Sequence, residues 1–146
     1  MFLKRLFLEF FFIISIIFLV FFYLKLFRDV VKLRRKDNIS FGNAKNPKLE
    51  RAIRAHANFI EYVPLSLILS LFLYFHNFLI LSCFSIFLLT LGRIYHKRGI
   101  TNEEEKKEKF KFRMLGMRFT TYSFYCSIIG LIFYLGQMLF LLIQNQ

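Results

Sequence analysis

A stripe of mostly polar side chains marks the start of the second apolar segment of this chain. It consists of Arg51, Arg54, Asn58, Glu61 and Leu65, separated by steps of three, four, three and four. Residues with this spacing lie on one face of an α-helix. Charged groups at the end of a membrane helix are costly unless they are paired or serve a function. The stripe therefore directs attention to this end of the helix as a candidate site.

The residue types of the stripe suggest which ligand would fit. Guanidinium groups form paired hydrogen bonds with carboxylates or phosphates, and a buried carboxylate needs a cation or an amine. Arg51 and Arg54 near the mouth of a groove, with Glu61 about two turns deeper, would suit a zwitterion that carries carboxylates and an ammonium group. The alternative is that Arg54 and Glu61 only pair across neighbouring helices. His56 lies roughly 200° around the helix from Arg54, which on its own predicts packing or a subunit contact.

The composition is that of a membrane protein. The 146 residues are 57% hydrophobic and include 22 phenylalanines, more apolar surface than a soluble chain of this length could bury. We therefore expect one membrane domain over residues 1–146. The net charge of +12 is gathered in blocks that alternate with apolar runs. This pattern is typical of the positive loops of membrane proteins and argues against a nucleic-acid partner.

Four apolar segments, at about 6–27, 52–75, 77–95 and 114–143, reach or nearly reach the length of about 20 residues that crosses a bilayer. The sequence thus predicts an all-α bundle of four transmembrane helices. The loop between the first two spans and the loop between the last two hold nearly all the lysines and arginines. We expect both loops to face the cytoplasm and both termini to lie outside.

The two basic loops differ in character. The first contains the turn formers Gly42, Asn43, Asn46 and Pro47, which predict an ordered connection into the second helix. The second, from Thr101 to about residue 112, has capping residues and Glu–Lys pairs four apart, which predict a solvated helical extension.

Small residues in the fourth span would allow close helix packing. They are Gly116, Ser123, Ser127, Gly130 and Gly136. The two cysteines, Cys83 and Cys126, lie inside apolar runs without metal-ligand spacing, so we interpret them as packing thiols and expect no metal.

The run ERAIRAHANFIEYVPL (50–65) resembles the signature of the MAPEG family, the membrane-associated proteins in eicosanoid and glutathione metabolism. The similarity extends to RRKDNISFGNAKNP (34–47), LGRIYHKRG (91–99) and RMLGM (113–117). It is closest in kind to the bacterial inner-membrane members. The resemblance implies a four-helix bundle that assembles as a homotrimer, with glutathione bound between adjacent subunits near the cytoplasmic face.

The resemblance also implies roles for residues of the second helix. By position, Arg54, Asn58, Glu61 and Tyr62 would contact glutathione. His56 stands where relatives have a glutamine that contacts glutathione.

Three further positions follow from the resemblance. Arg34 or Arg35 corresponds to a basic pair in the first loop, and Arg113 matches an arginine that stabilises the glutathione thiolate in the conjugating members. A nearby cation lowers the pKa of a thiol and raises its reactive fraction. His96 and Ile100 occupy positions where eukaryotic members carry two tyrosines, and His96 is included among the expected glutathione contacts.

The function implied by the resemblance is a glutathione transferase or peroxidase that uses glutathione as co-substrate and acts on a lipophilic electrophile from the bilayer. The replaced tyrosines favour an alternative, a non-catalytic trimeric scaffold or regulator that keeps the fold and the ligand groove. A transporter or channel is a third hypothesis. It is weakened because the sequence shows deep charges only in the second span and no inverted repeat.

Overall fold

The chain folds as four long α-helices in a computed structural model, which confirms the predicted all-α class. The structure describes residues 2–43, 45–101 and 110–145. The helices are α1 (Phe2–Lys36), α2 (Pro47–Phe75), α3 (Leu79–Thr101) and α4 (Lys111–Gln144). Each is long and apolar enough to cross a membrane. The helical extension expected between spans three and four falls mostly on residues 102–109, outside the described residues.

Helix α1 is longer than the apolar segment that predicted it. It has 35 residues and ends at Lys36 rather than near residue 27. Its basic last turns remain helical because lysine and arginine are good helix formers. At 1.5 Å per residue, α1 is about 52 Å long, which exceeds the roughly 30 Å of bilayer hydrocarbon. The basic end of α1 therefore extends beyond the apolar layer.

In the described residues of the connection from α1 to α2, the turn formers adopt turn and capping conformations, as predicted. Gly42 has a φ of 68°, in the left-handed region that favours glycine. The side-chain oxygen of Asn46 accepts hydrogen bonds from the backbone N–H groups of Lys48 (3.0 Å) and Leu49 (3.2 Å). Pro47 follows at the first helical position. These contacts determine where α2, and hence its polar stripe, begins.

Helices α2 and α3 form the centre of the bundle. Helix α1 packs against both of them on one flank, and α4 packs most extensively against α3 and also contacts α2. Within the part of the chain that the structure describes, α1 and α4 do not touch. Their outer faces carry many exposed apolar side chains, as lipid-facing helices do.

A cluster of buried serines joins α2, α3 and α4 at mid-span. Ser85 lies at its centre, with its Oγ atom 2.9 Å from that of Ser70, 3.0 Å from that of Ser123 and 2.8 Å from that of Ser127. Because a bilayer offers no water, these hydroxyls satisfy one another. The serine cluster comprises Ser66, Ser70, Ser82, Ser85, Ser123 and Ser127, each with 0% exposure. It confirms the predicted packing role of Ser123 and Ser127 in α4.

Glycines allow a second close contact, between α3 and α4 at the end of the bundle where α2 begins. A Cβ added at Gly99 would lie 2.6 Å from the backbone nitrogen of Arg113, and one at Gly116 would lie 2.7 Å from the Cα of His96. Gly136 differs, because within the described part of the chain nothing lies within 4 Å of an added Cβ there. The close α3–α4 contact places Arg113 beside the last turns of α3.

Candidate ligand-binding site

A cleft of about 580 Å³ lies between α2, α3 and α4 at the end of the bundle where α2 begins. We call it the polar cleft. The described residues that line it are Pro47, Glu50, Arg51, Arg54, Asn58, Glu61, His96, Ile100 and Arg113. The four polar members of the stripe on α2 thus face one cavity, while Leu65 lies outside it.

The polar cleft brings together five of the nine residues that the sequence assigns to the site. Arg54, Asn58 and Glu61 come from α2, His96 from α3 and Arg113 from the first turn of α4. His96 is buried, whereas Arg54, Glu61 and Arg113 are exposed in the single chain. The cleft is therefore closed on the α3 side and open on the side of the long charged side chains.

Two predicted residues of α2 lie elsewhere. The ring of Tyr62 faces Arg93, whose Cζ atom is 5.4 Å from the ring centroid. His56 points toward α1, with its ring centroid 5.3 Å from that of Tyr23 and 6.3 Å from that of Phe27. The helical spacing predicted this direction for His56. Its Nε2 atom is buried and has no hydrogen-bond partner among the described residues.

The predicted basic pair at the end of α1 also lies outside the polar cleft. Arg34 donates from Nη1 to the backbone carbonyls of Ile39 (3.5 Å) and Ser40 (3.3 Å), so it stabilises the turn after α1. Arg35 is exposed. Neither side chain lines the cleft of its own chain.

A residue missing from the predicted site, Arg93 of α3, lies directly behind the cleft. Its side chain is 2% exposed. Its Nη1 atom donates to the backbone carbonyl of Asn58 (3.2 Å) and to the Oδ1 atom of that residue (2.5 Å). Its Nη2 atom donates to the hydroxyl of Thr120. Arg93 thus connects α2, α3 and α4 and holds the amide of a cleft residue in position.

The sequence contained a signal for Arg93. It is a cation inside the third apolar segment, and an ionisable residue there is a functional candidate by default. Counting Arg93 with the basic loop that follows leads to the prediction that deep charges occur only in the second span. The structure corrects that placement, because Arg93 is buried among three helices.

The charges of the polar cleft are mixed, with a small positive excess. Three guanidinium groups (Arg51, Arg54 and Arg113) face two carboxylates (Glu50 and Glu61). Such a lining can bind carboxylates and an ammonium group of one ligand at the same time. Within the described residues, no group of three or more His, Cys, Asp or Glu side chains could hold a metal ion.

The sequence is similar to those of known membrane proteins. A profile of the MAPEG family matches residues 12–136. The inner membrane protein YecN of Escherichia coli K12 is 27% identical over 110 residues, covering 73% of this chain and 79% of YecN. YecN of E. coli O6:H1 strain CFT073 matches with the same identity and coverage. No solved structure matches significantly. Since the family profile spans most of its length, the chain belongs to the MAPEG family.

Proposed function

We propose that the protein binds glutathione in the polar cleft and uses it as a co-substrate against lipophilic electrophiles, as a transferase or a peroxidase. The observation that carries this proposal is the convergence of Arg54, Glu61 and Arg113 from two helices on one cavity. Membership of a family associated with glutathione and eicosanoid metabolism supports the choice of ligand.

The charges of glutathione match those of the cleft. The peptide carries two carboxylates and one ammonium group at neutral pH. Arg51 and Arg54 would bind carboxylates, and Glu61 would bind the ammonium group. Arg113 would lie beside the sulfur and stabilise the thiolate, which is the nucleophilic form. In conjugation, the thiolate forms a carbon–sulfur bond with an aryl halide while the halide ion leaves.

We further propose that the cleft is completed by a neighbouring subunit of a homotrimer. Arg54 and Glu61 are exposed in the single chain. Charged side chains at the end of a membrane helix are more favourably covered by protein than by lipid. Arg34, Arg35 and His56 lie away from the cleft of their own chain, so in a trimer they could contact the ligand of a neighbour. Since the E. coli relatives are inner membrane proteins, we place this protein in a bacterial inner membrane as well.

Glutathione binding can be tested by thermal unfolding of the purified protein. A ligand that binds only the folded state raises the melting temperature as its concentration increases. We expect this rise for the native protein and its loss in the double variant Arg54→Gln/Glu61→Gln. The matched control is Arg5→Gln/Glu9→Gln, which removes an exposed ion pair of α1 (2.9 Å) that lies outside the cleft. An undiminished shift in the cleft variant would contradict the proposal.

The role of Arg113 can be tested by conjugation of 1-chloro-2,4-dinitrobenzene. A nearby cation lowers a carboxylate or thiol pKa by about one unit or more, so Arg113→Ala should lower the rate at neutral pH by roughly tenfold. Arg118→Ala is the control, because Arg118 is an exposed arginine of α4 outside the cleft. Equal rates in the two variants would remove the assigned role of Arg113.

One observation favours the non-catalytic alternative. Ile100 lines the polar cleft with a side chain that has no hydroxyl, at a position where the family resemblance leads us to expect tyrosine. A scaffold that kept only the groove would bind glutathione saturably, without conjugation or peroxide reduction by the native protein. That combination of results would replace the enzymatic proposal with the alternative.

A further inference from the structure

A second cleft, of about 730 Å³, lies on the opposite side of α2, between α1, α2 and α3. We call it the basic cleft. Only Pro47 and Arg51 line both this cleft and the polar cleft among the described residues. Of the residues assigned to glutathione, Arg51 alone lines the basic cleft, so this cleft calls for a separate explanation.

The basic cleft is lined mainly by cations among its charged residues. Among the described residues, the charged side chains that line it are those of Lys32, Lys48, Arg51 and Lys97 and one carboxylate, that of Asp29. The Nζ atom of Lys97 is 3.2 Å from Oδ2 of Asp29, and the Lys97 side chain is only 18% exposed. Within the described part of the chain, the side chains of Lys32 and Lys48 form no ion pair. The cleft therefore has cationic groups available for an anion.

The lining of the basic cleft also includes apolar side chains. They are those of Leu26, which is 2% exposed, Leu33, Ala52 and Ala55. Leu26 and Lys32 are six residues apart on α1, which corresponds to about 9 Å along the helix axis. The cleft therefore spans the level at which the apolar segment of α1 gives way to its basic end. This is the level at which lipid headgroups meet hydrocarbon.

We infer that the basic cleft binds an anionic phospholipid of the surrounding bilayer. The lysines would hold the phosphate, and the leucines and alanines would contact the glycerol backbone and the upper acyl chain. Basic pockets between transmembrane helices are known to hold anionic headgroups. A free inorganic anion would satisfy the lysines but would leave the apolar side chains of the cleft without a partner, which is why we choose the lipid.

The inference can be tested by native mass spectrometry of the purified full chain in a neutral detergent. The protein is mixed with equal amounts of phosphatidylglycerol and phosphatidylcholine, and the retained lipid is counted. We expect preferential retention of phosphatidylglycerol by the native protein and a several-fold loss of it in Lys32→Gln/Lys48→Gln. Both lysines are exposed, so their replacement leaves the buried core unchanged.

The matched control is Lys25→Gln/Lys36→Gln, which removes two exposed lysines of α1 that lie outside the cleft. It loses the same charge and should retain phosphatidylglycerol like the native protein. Equal loss of phosphatidylglycerol in both variants would show that any surface lysine attracts the lipid to the same extent, and this would overturn the inference. Displacement of the lipid by millimolar inorganic phosphate would overturn it too, in favour of a free-anion site.

A negative result for lipid binding can be distinguished from a negative result for the proposed glutathione site. Arg51, which lines both clefts, is left in place in these variants. The glutathione-dependent rise in melting temperature should therefore persist in Lys32→Gln/Lys48→Gln.

Discussion

At the scale of single residues, Arg93 has the most demanding environment in the described part of the chain. Its guanidinium is buried, and its two Nη atoms donate to neutral groups, namely the carbonyl and amide oxygens of Asn58 and the hydroxyl of Thr120, beside the ring of Tyr62. Its Nε atom has no hydrogen-bond partner among the described residues. No carboxylate pairs with it among the described residues. A buried cation without a counter-ion is costly, so its neighbours must be held accurately.

We therefore predict that Arg93→Lys destabilises the protein although it keeps the charge. Lysine cannot fork to Asn58 and Thr120 together, and unsatisfied buried groups cost about 1–3 kcal/mol each. The affinity for glutathione should fall as well, because Asn58 would lose its hydrogen bonds from Arg93. Each 1.4 kcal/mol of binding free energy that is lost corresponds to a roughly tenfold lower affinity. Thermal unfolding with and without glutathione measures both effects.

The control for Arg93 is Arg98→Lys in the same helix. Arg98 is exposed, with its Cζ atom 4.7 Å from the ring centroid of Phe112. Its replacement should change the melting temperature much less. Equal melting temperatures for the two variants would show that the buried hydrogen bonds of Arg93 contribute little.

The residues on the face of a regular helix could be predicted from sequence, but those whose roles depend on helix orientation could not. The stripe on α2 follows from spacing alone, and its four polar members do face one cavity. Arg93 lies on a helix that is apolar on most sides, so periodicity could not tell which face turns inward. Tyr62 is next to Glu61 in sequence and yet faces Arg93, because consecutive residues point about 100° apart.

At the scale of helices, the glycines of α3 and α4 set the distance between the two elements that carry His96 and Arg113. We predict that Gly116→Ala destabilises the bundle by about 1–3 kcal/mol, the usual cost of adding atoms to a packed contact. The added methyl group would overlap the backbone of α3 at His96. Its effect can be followed by thermal unfolding in detergent.

Gly136→Ala is the matched control in the same helix. Nothing in the described structure lies within 4 Å of the methyl group that it adds. It should be neutral or slightly stabilising, because alanine favours helix more than glycine does. A loss of stability as large as that of Gly116→Ala would contradict the importance of the α3–α4 contact.

A second prediction at this scale concerns the serine cluster. Ser85→Ala removes hydrogen bonds to three other serines and should cost about 1 kcal/mol, within the range found for hydrogen bonds between membrane helices. Ser15→Ala is the control, since Ser15 donates only to the carbonyl of Phe11 in its own helix (2.8 Å). Chemical unfolding in mixed micelles would compare them. Equal losses would show that the cluster contributes no more than an intrahelical bond.

The number and order of the helices were predictable because each apolar segment exceeds or approaches the bilayer thickness. The ends of the helices were less predictable. Helix α1 continues nine residues past residue 27, to Lys36, because charged residues leave the bilayer without leaving the helix. The serine cluster was only partly predictable. Sequence marked Ser123 and Ser127 as packing residues, but their partners on α2 and α3 depend on how the helices cross.

At the scale of the whole molecule, the distribution of charge predicts the orientation in the membrane. The basic end of α1 and the start of α2 lie at the same end of the bundle as the polar cleft. We expect this end to face the cytoplasm and both termini to lie outside. A carboxyl-terminal alkaline phosphatase fusion should then be active in a bacterial host, and a green fluorescent protein fusion should be dark. The opposite pattern would contradict the expected position of the polar cleft at the cytoplasmic face.

The serine cluster has a consequence for how the protein responds to its surroundings. Its bonds join uncharged hydroxyls, so neither protons nor dissolved ions act on them directly. The two clefts, in contrast, are lined by groups whose attraction for ligands varies with ionic strength. Moderate changes in salt should thus alter ligand binding at the end of the bundle that holds both clefts, without weakening the contacts at mid-span. In this protein, the packing of the helices at mid-span and the binding of ligands in the clefts therefore respond to different solution conditions.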